Sequence, residues 1–291
     1  MNETKERKKK RVKQFFRVFF GRGIITKISL VIIIIFILTA IFAPLLAQYD
    51  PTKIDPINKY LGLFSEGHPL GTDRFGRDVL SRLIYGARTS LVCSLLSTMW
   101  ASIVGSTLGI IAGYFQGVPE KIITRLMDAQ LAVPGLILSM TLATIFGKSI
   151  FAIAIVIGIG SIPGYTRMAY STVLTLKEND FVVASRLVGQ SKFKIMFKHL
   201  LPNCFSSLIV IFTMSLGNAI MVESGLAYLG VGLSEPIPAW GIMVSDGFQV
   251  LSTYPSLALL PGFCVMLIVI AFNVLGDSLR DAMDPKLRGR L

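Results

Sequence analysis

Charged residues are scarce in this chain: only 16% of its 291 positions are Asp, Glu, Lys or Arg, while 53% are hydrophobic. A soluble domain carries about 25% charged residues. The composition excludes a disordered chain, a collagen-like chain and most soluble enzymes, because so apolar a chain would expose too much hydrophobic surface to water. The sequence therefore predicts an integral membrane protein.

Cysteine and histidine are also rare. The three cysteines are Cys93, Cys204 and Cys264, and the two histidines are His68 and His199. Their spacing matches neither a metal site nor a disulfide framework. All three cysteines lie in or beside apolar segments, which favours a role as small hydrophobic side chains.

Catalytic motifs are missing as well. Gly147, Lys148 and Ser149 resemble the end of a nucleotide-binding P-loop, but Leu142 stands where that loop needs its first glycine. The chain contains no GxSxG, HExxH or HxE…CxxC pattern. We therefore predict no catalytic residue, no metal ligand and no cofactor on this chain.

Long uncharged stretches are what the sequence does have. Six of them contain between 18 and 31 residues, enough for a helix to cross a bilayer. They are residues 28–49, 89–119, 129–147, 149–166, 199–222 and 247–276. The first is longer than the apolar core of a signal peptide, which favours an uncleaved helix. Six transmembrane helices place both termini on the same side.

The placement of lysine and arginine predicts which side that is. Segments 1–27, 115–127, 167–200 and the C-terminal tail hold 22 of these residues, and the opposite side holds 7. Positive loops stay in the cytoplasm, so we expect both termini to be cytoplasmic. The net charge of +12 is then mostly a matter of topology, and nucleic-acid binding is not predicted.

The chain divides into four predicted regions. Residues 1–48 form a cytoplasmic segment and the first transmembrane helix, and residues 49–86 form an extracytoplasmic loop. Residues 87–278 form a five-helix transmembrane domain, and residues 279–291 a cytoplasmic tail. Before the first span, an apolar stripe at helical spacing predicts a short amphipathic helix in the membrane interface. The stripe consists of Val12, Phe15, Phe16, Phe19 and Phe20.

Glycines recur every four residues in the second span. Gly105, Gly109 and Gly113 share one helical face, and Gly117 continues the spacing at the edge of the span. Glycine at such positions lets another helix approach closely. We predict a helix-packing surface here.

Two proline–glycine pairs fall inside later spans. Pro134 and Gly135 are predicted to interrupt the third span, and Pro163 and Gly164 the fourth. Such breaks are tolerated where the freed backbone groups face protein or water. A translocation path or moving joint and a static kink are equally compatible with the sequence.

Asp128 and Glu223 stand at the edges of spans and complete the candidate pathway or gate residues. A proton relay needs ionisable groups deep in the spans, preferably in series. These two lie at opposite ends of the membrane. We therefore favour interfacial residues that cap or pair over a relay.

The internal cytoplasmic loop 177–202 predicts two short helices. The first covers residues 179–188, and Gly189 suits the left-handed position that ends a helix. Ser191 is expected to cap the second helix, and Pro202 to begin the next span. The spans on both sides disfavour a helix-turn-helix DNA reader. We expect instead a docking knob whose apolar residues fill a groove on a partner: Phe181, Val182, Ala184, Leu187 and Val188.

This loop resembles the EAA motif of ABC importer permeases, which runs E-A-A, three residues, G, nine residues, I-x-L-P. Ala184, Gly189, Leu201 and Pro202 match it. Val183, Ser185 and His199 depart from it.

Further segments resemble the C-type subunits of the dipeptide, oligopeptide and nickel permeases. They are HPLGTDRFGRD at 68–78, GARTSL at 86–91, ESGLAYLGVG at 223–232, PAWG at 238–241 and LRDAMDP at 279–285. The resemblance runs from about residue 10 to 290.

The resemblance implies a type I ABC importer transmembrane fold in a bacterial cytoplasmic (inner) membrane. It implies a homologous B-type permease, two cytoplasmic ATPase subunits that carry ATP and Mg, an extracytoplasmic binding protein and membrane lipid as partners. His68 would then be a loop residue and not a metal ligand. The closely alternating charges of Asp73, Arg74, Arg77 and Asp78 favour local ion pairs or a cap over substrate binding. The implied ATPase-coupling residues are Asp180, Val183, Ala184, Ser185, Leu187, Gly189, Gln190, Ser191 and Pro202.

The expected function is half of a translocation pore for peptides or related small solutes, including nickel chelates. No residue can be assigned to substrate contact from the sequence. An ion-coupled secondary transporter is the alternative, and a membrane scaffold a weaker one. The first would need ionisable groups near the midplane, and the second would have fewer breaks within its spans.

Overall fold

The computed structural model describes residues 14, 15 and 17–283, and within them every regular element is a helix. The helices are α1 (Ile24–Ile41), α2 (Ala43–Leu46), α3 (Val79–Phe115), α4 (Val118–Ala132), α5 (Gly135–Phe146), α6 (Ile150–Leu176), α7 (Asp180–Leu187), α8 (Lys192–Lys194), α9 (Leu201–Tyr228), α10 (Trp240–Phe248) and α11 (Ser256–Met283). Short 3-10 turns cover Phe20–Arg22 and Pro56–Asn58. The all-α prediction is confirmed.

Five helical stretches are long and apolar enough to cross a membrane. Four of them are α1, α3, α6 and α11, and the fifth runs without a break over Lys192–Tyr228. A sixth crossing exists if α4 and α5 count as one span, although these two helices meet at 94°. The third predicted span is therefore a bent pair. It begins at Val118, before the uncharged stretch 129–147.

Two predicted region boundaries also differ from the helix bounds in the structure. α3 begins at Val79, inside the segment 49–86 that was expected to be a loop, because the Asp78 carboxylate accepts a hydrogen bond from the Ser81 amide and starts the helix there. α11 runs on to Met283, inside the predicted tail 279–291.

The glycine face of α3 packs against α6. A Cβ atom on Gly105 would lie 2.6 Å from Cβ of Tyr165, and one on Gly113 would lie 2.8 Å from Cγ1 of Val173. A Cβ atom on Gly109 would overlap the carbonyl oxygen of Thr166. The two backbones can approach this closely only because α3 carries no side chain at these positions. Gly117 lies outside the contact, in the turn before α4, with a φ of 66°.

Pro163 lies inside α6, which is continuous from Ile150 to Leu176. The predicted interruption at Pro163 and Gly164 is therefore wrong, whereas the chain does break at Pro134. The physical reason is a compensating hydrogen bond: the Gln130 side chain donates to the Ile159 carbonyl, which proline cannot serve.

Residues 49–78 fold back onto the bundle beside α10, and this end of the molecule is called the 49–78 end below. Trp240 of α10 is fully buried and donates its ring N–H to the Leu83 carbonyl over 3.0 Å. Tyr60 stacks on Tyr254 with ring centroids 4.8 Å apart. His68 contacts Asp78 over 3.0 Å. The Tyr60–Tyr254 stack therefore holds the loop against the segment that links α10 to α11, while the Trp240 bond joins α10 to α3 and the His68–Asp78 contact lies within the loop.

The other end of the bundle carries residues 177–202, the 177–202 end. There Phe15, Val18 and Phe19 pack against Leu279 and Ala282 of α11. Part of the predicted amphipathic stripe thus covers a helix of the same chain. The remaining stripe residues Val12 and Phe16 lie outside the described residues.

Candidate functional site

The loop 177–202 folds as the sequence predicts. α7 follows Asn179, with Asp180 in its first turn, and Gly189 has a φ of 75°, the left-handed conformation that glycine adopts most readily. The Ser191 hydroxyl accepts a hydrogen bond from the Lys194 amide at the start of α8. Both helices and the predicted cap are confirmed.

The inner face of this loop belongs to the core of the protein. Val182 of α7 is fully buried, together with Ile195, Met196 and Leu200 in a π-helical stretch between α8 and α9. These residues pack in one cluster with α3, α6 and α9. The inner face of the loop is therefore packed directly against three membrane helices.

Polar contacts reinforce the attachment. The Arg186 guanidinium lies 5.3 Å from the centre of the Tyr114 ring, and the Lys192 ammonium 5.5 Å from that of Phe115. Both aromatic residues are at the end of α3. His199 Nε2 and Gln190 Oε1 are 2.9 Å apart, within hydrogen-bond distance, so the turn after Gly189 is tied to the start of the next span.

The outer face is apolar and unoccupied by other parts of the described chain. Leu187 is 82% exposed, Val188 80% and Phe193 68%. These three residues, defined here as the coupling tip, surround the Gly189 turn. A cluster of exposed large hydrophobic residues on a rigid knob is typical of a docking surface. Val182, which was expected to fill a groove on a partner, points into the core instead.

The predicted coupling residues divide between the two faces. Ser185 is buried and donates to the Phe181 carbonyl over 2.7 Å, and Gln190 is half-buried beside His199. The exposed ones are Asp180, Val183, Ala184, Leu187, Gly189, Ser191 and Pro202.

Of the candidate pathway residues, Asp128 pairs with Arg167. Its carboxylate lies 2.7 Å from Nη2 of Arg167, and both side chains are exposed. The pair joins α4 to α6 just before the α4–α5 bend at Pro134. Pairing is the arrangement that the sequence favoured for Asp128.

Glu223 is placed differently. Its carboxylate is completely buried in α9, where Oε2 accepts hydrogen bonds from Ser90 over 3.2 Å and from Ser224 over 3.5 Å. The carboxylate is therefore held by two hydroxyl groups inside the bundle and not by a cation, and an interfacial depth for Glu223 stays a prediction. In the part of the chain that the structure describes, Oε1 of Glu223 has no hydrogen-bond partner.

An ion-pair cluster joins two loops at the 49–78 end. Arg77 is buried and binds Asp73 through Nε over 2.6 Å and Glu235 through Nη2 over 2.9 Å. Arg74 binds Asp246 of α10 over 3.0 Å. The expected local pairing of Asp73 and Arg77 is confirmed, and the cluster extends it to residues far away in the chain.

The two acidic groups of the cluster that lie far along the chain, Glu235 and Asp246, have pKa values shifted in opposite directions. Burial raises the pKa of Asp246 to about 6, helped by the hydrogen bond with Glu235 and opposed by Arg74. Burial also acts to raise the pKa of Glu235, but the hydrogen bond from Arg77 and the charges of Arg77 and Arg74 hold it below its ordinary value.

Residues 105–289 match the family described as "Binding-protein-dependent transport system inner membrane component", and residues 25–62 match the "N-terminal TM domain of oligopeptide transport permease C". The first match covers more than half of the chain. The chain belongs to the binding-protein-dependent permeases of ABC importers. It is a pore subunit of the bacterial inner membrane, of the C type found in peptide transport systems.

Relatives support this membership along nearly the full length of the permease. It is 41% identical to a dipeptide transport system permease protein DppC of Alkalihalophilus pseudofirmus, over 90% of this chain and 86% of that protein. It is 34% identical to a glutathione transport system permease protein GsiD of Pectobacterium atrosepticum, over 95% and 91%.

The fold is similar to that of a solved importer. The permease covers 97% of a chain of the inward-facing MetNI methionine ABC transporter with a TM-score of 0.57 and 17% identity, using 70% of its own length. At this identity the likeness shows the fold alone. The type I importer fold that the sequence implied is confirmed.

Several residues of the site were missed in the sequence. Glu235 and Asp246 follow the spans in a segment without lysine or arginine, so their partners Arg74 and Arg77 could not be identified from spacing. Gln130 is an uncharged polar residue in a helix, which gives no signal of its own. Only the nearby Pro134 marked that region.

Proposed function

We propose that this permease imports short peptides together with a homologous B-type permease, and that its 177–202 loop couples the pore to a cytoplasmic ATPase. The support for the substrate is the similarity to dipeptide and oligopeptide permeases. The glutathione permeases among the relatives carry a peptide-like solute as well. Nickel chelates are a less supported substrate, since no relative named here transports them.

The coupling tip is the observation that carries the proposal. Leu187, Val188 and Phe193 are exposed on one face of the 177–202 loop. The opposite face is buried in the core through Val182 and Met196. An exposed apolar tip supplies affinity for a groove, and a buried base supplies stiffness. Together they form a lever that passes the closure of an ATPase pair to the membrane helices.

In this arrangement the permease supplies no catalytic group. ATP and Mg bind to two separate ATPase subunits below the membrane, and a binding protein delivers the peptide above it. Both termini and the 177–202 end then face the cytoplasm, as the lysine and arginine distribution predicts. The 49–78 end faces outward, towards the binding protein.

The test is to replace Leu187 and Val188 by serine in the tagged complex. We expect less ATPase subunit to copurify, because a loss of about 1.4 kcal/mol of docking free energy lowers the affinity tenfold. Peptide uptake should fall with the amount of ATPase that remains bound. Leu45→Ser is the matched control, because Leu45 is as exposed as Leu187 but lies at the 49–78 end. Full recovery of ATPase and uptake in the Leu187→Ser, Val188→Ser variant would exclude this tip as the docking site.

A further inference from the structure

A groove of about 480 Å³ opens between α1, α3, α9 and α11 on the membrane-facing surface. Its walls come mainly from α1 and α3. The apolar residues that shape it include Ile37, Ala40, Leu91, Leu95, Leu216 and Phe272. The groove lies outside the candidate pathway and far from the coupling tip.

One charged residue lines this apolar groove. Arg88 of α3 is exposed, and among residues 14, 15 and 17–283 it has no ion pair or hydrogen bond. A guanidinium group within a membrane-spanning helix is costly unless it finds an anion or reaches the interface. Because it presents a planar fork of N–H donors, arginine binds phosphate oxygens in pairs.

The charge and the apolar residues follow each other along the groove. Arg88, Leu91 and Leu95 lie on one face of α3 at successive helical turns, so Leu95 is about 10 Å deeper than Arg88 along the axis. On the antiparallel α1, Ile41 precedes Ile37 in the same direction. The groove thus offers an anion site at the level where α1 ends and hydrocarbon surface below it.

The wall that α1 contributes fits lipid better than a partner helix. Only 22% of α1 is buried within the chain, and its mean hydropathy of 2.8 is the highest of the five spans. It exposes isoleucines such as Ile34 and Ile35 instead of the small residues through which membrane helices pack. Its surface is therefore suited to acyl chains.

We propose that this groove binds a membrane phospholipid, with the phosphodiester on Arg88 and an acyl chain along Leu91, Leu95 and Ile37. The lipid belongs to the leaflet at the 49–78 end. It would hold α1 against the rest of the bundle, because both α1 and α3 contribute to its site.

A photo-crosslinking amino acid at position 91 tests the proposal in the assembled importer in native membranes. We expect a phospholipid adduct at this position by mass spectrometry. Arg88→Gln should lower the yield of this adduct about tenfold, because the loss of one charge-assisted hydrogen bond lowers the affinity for the phosphodiester by about that factor. Arg88→Lys, which keeps the charge, should retain most of it, and Arg125→Gln, an exposed arginine on α4, should change nothing.

A second variant separates the acyl chain from the headgroup. Ala40→Phe fills the groove but leaves Arg88 in place, so we expect it to lower the yield as well. An adduct with a second polypeptide at position 91, or a lipid yield that is the same in Arg88→Gln and the parent, would overturn the proposal. So would competition by inorganic phosphate at millimolar concentration, because the groove would then recognise the free anion.

Discussion

The side-chain amide of Gln130 donates a hydrogen bond of 2.6 Å to the carbonyl oxygen of Ile159. Ile159 stands four residues before Pro163, whose missing N–H would otherwise leave this carbonyl without its helical donor. Gln130 itself lies at the end of α4, just before the bend at Pro134. One hydrogen bond therefore keeps α6 intact around its proline and holds the bent pair against it.

This relationship predicts a non-additive pair of substitutions. Gln130→Leu should lower the free energy of unfolding by about 1 kcal/mol, as for other hydrogen bonds between membrane helices. In a Pro163→Ala background the same substitution should cost almost nothing, because the alanine N–H then donates to the Ile159 carbonyl. Thermal unfolding of the purified complex measures both, with Gln249→Leu as the control. Equal costs in the two backgrounds would show that the bond is not linked to the proline.

The glycine face of α3 leads to a second prediction. Gly109→Ala forces a methyl group against the Thr166 carbonyl and to within 2.7 Å of Cβ of Ala169. Overpacking of this kind costs about 1–3 kcal/mol, which should appear as a lower unfolding temperature and less assembled complex. Gly225→Ala on α9 is the matched control, because the space around its Cβ is open. Equal stability of the two variants would contradict tight α3–α6 packing.

Local patterns in the sequence were sufficient for the 177–202 helices and for every span except the third, which is a bent pair. Charge-free stretches have a direct physical meaning in a bilayer, and Gly189 and Ser191 act on their own neighbours. The predicted interruption at Pro163 was wrong, because the effect of a proline on a helix depends on whether another helix supplies a donor to the freed carbonyl. The Arg77–Glu235 pair joins residues 158 positions apart, a contact that only the folded chain reveals.

The ion-pair cluster predicts how stability depends on pH. Because the folded state raises the pKa of Asp246 to about 6, its contribution is fully present below the ordinary value of 3.8 and is lost as pH rises through 6. Asp246→Asn removes this loss while the amide can still hydrogen-bond to Glu235. As the pH rises from 4 to 7, we therefore expect the unfolding temperature of the variant to increase relative to that of the parent.

Glu235 titrates with the opposite sign. Its lowered pKa contributes stability that is present above its ordinary value of 4.5 and lost on acidification. Glu235→Gln should therefore lose stability relative to the parent at neutral pH and approach it at low pH. Parallel pH profiles for the parent and both variants would contradict the assignment of these two groups.

Gly189 is the position where coupling and folding can be separated. Proline cannot adopt the φ of 75° found at Gly189, and other residues adopt it at a cost of about 1 kcal/mol. Gly189→Pro should therefore displace the coupling tip and uncouple ATP hydrolysis from uptake, with the complex still in the membrane. Gly189→Ala should keep most uptake. Uptake per ATP hydrolysed in proteoliposomes measures the effect, and an unchanged ratio in Gly189→Pro would count against the coupling role.

Glu223 distinguishes ATP-driven from ion-driven transport. The carboxylate is buried between Ser90 and Ser224, whereas Asp128 pairs with Arg167, and among the described residues no hydrogen bond joins the two acids. Glu223→Gln keeps an oxygen that accepts from Ser90, and we expect ATP-driven uptake to remain near the parent level and to resist a protonophore. Glu223→Leu removes that acceptor and should cost about 1–3 kcal/mol of stability. Complete loss of uptake in a stable, assembled Glu223→Gln complex would instead assign proton movement to this residue.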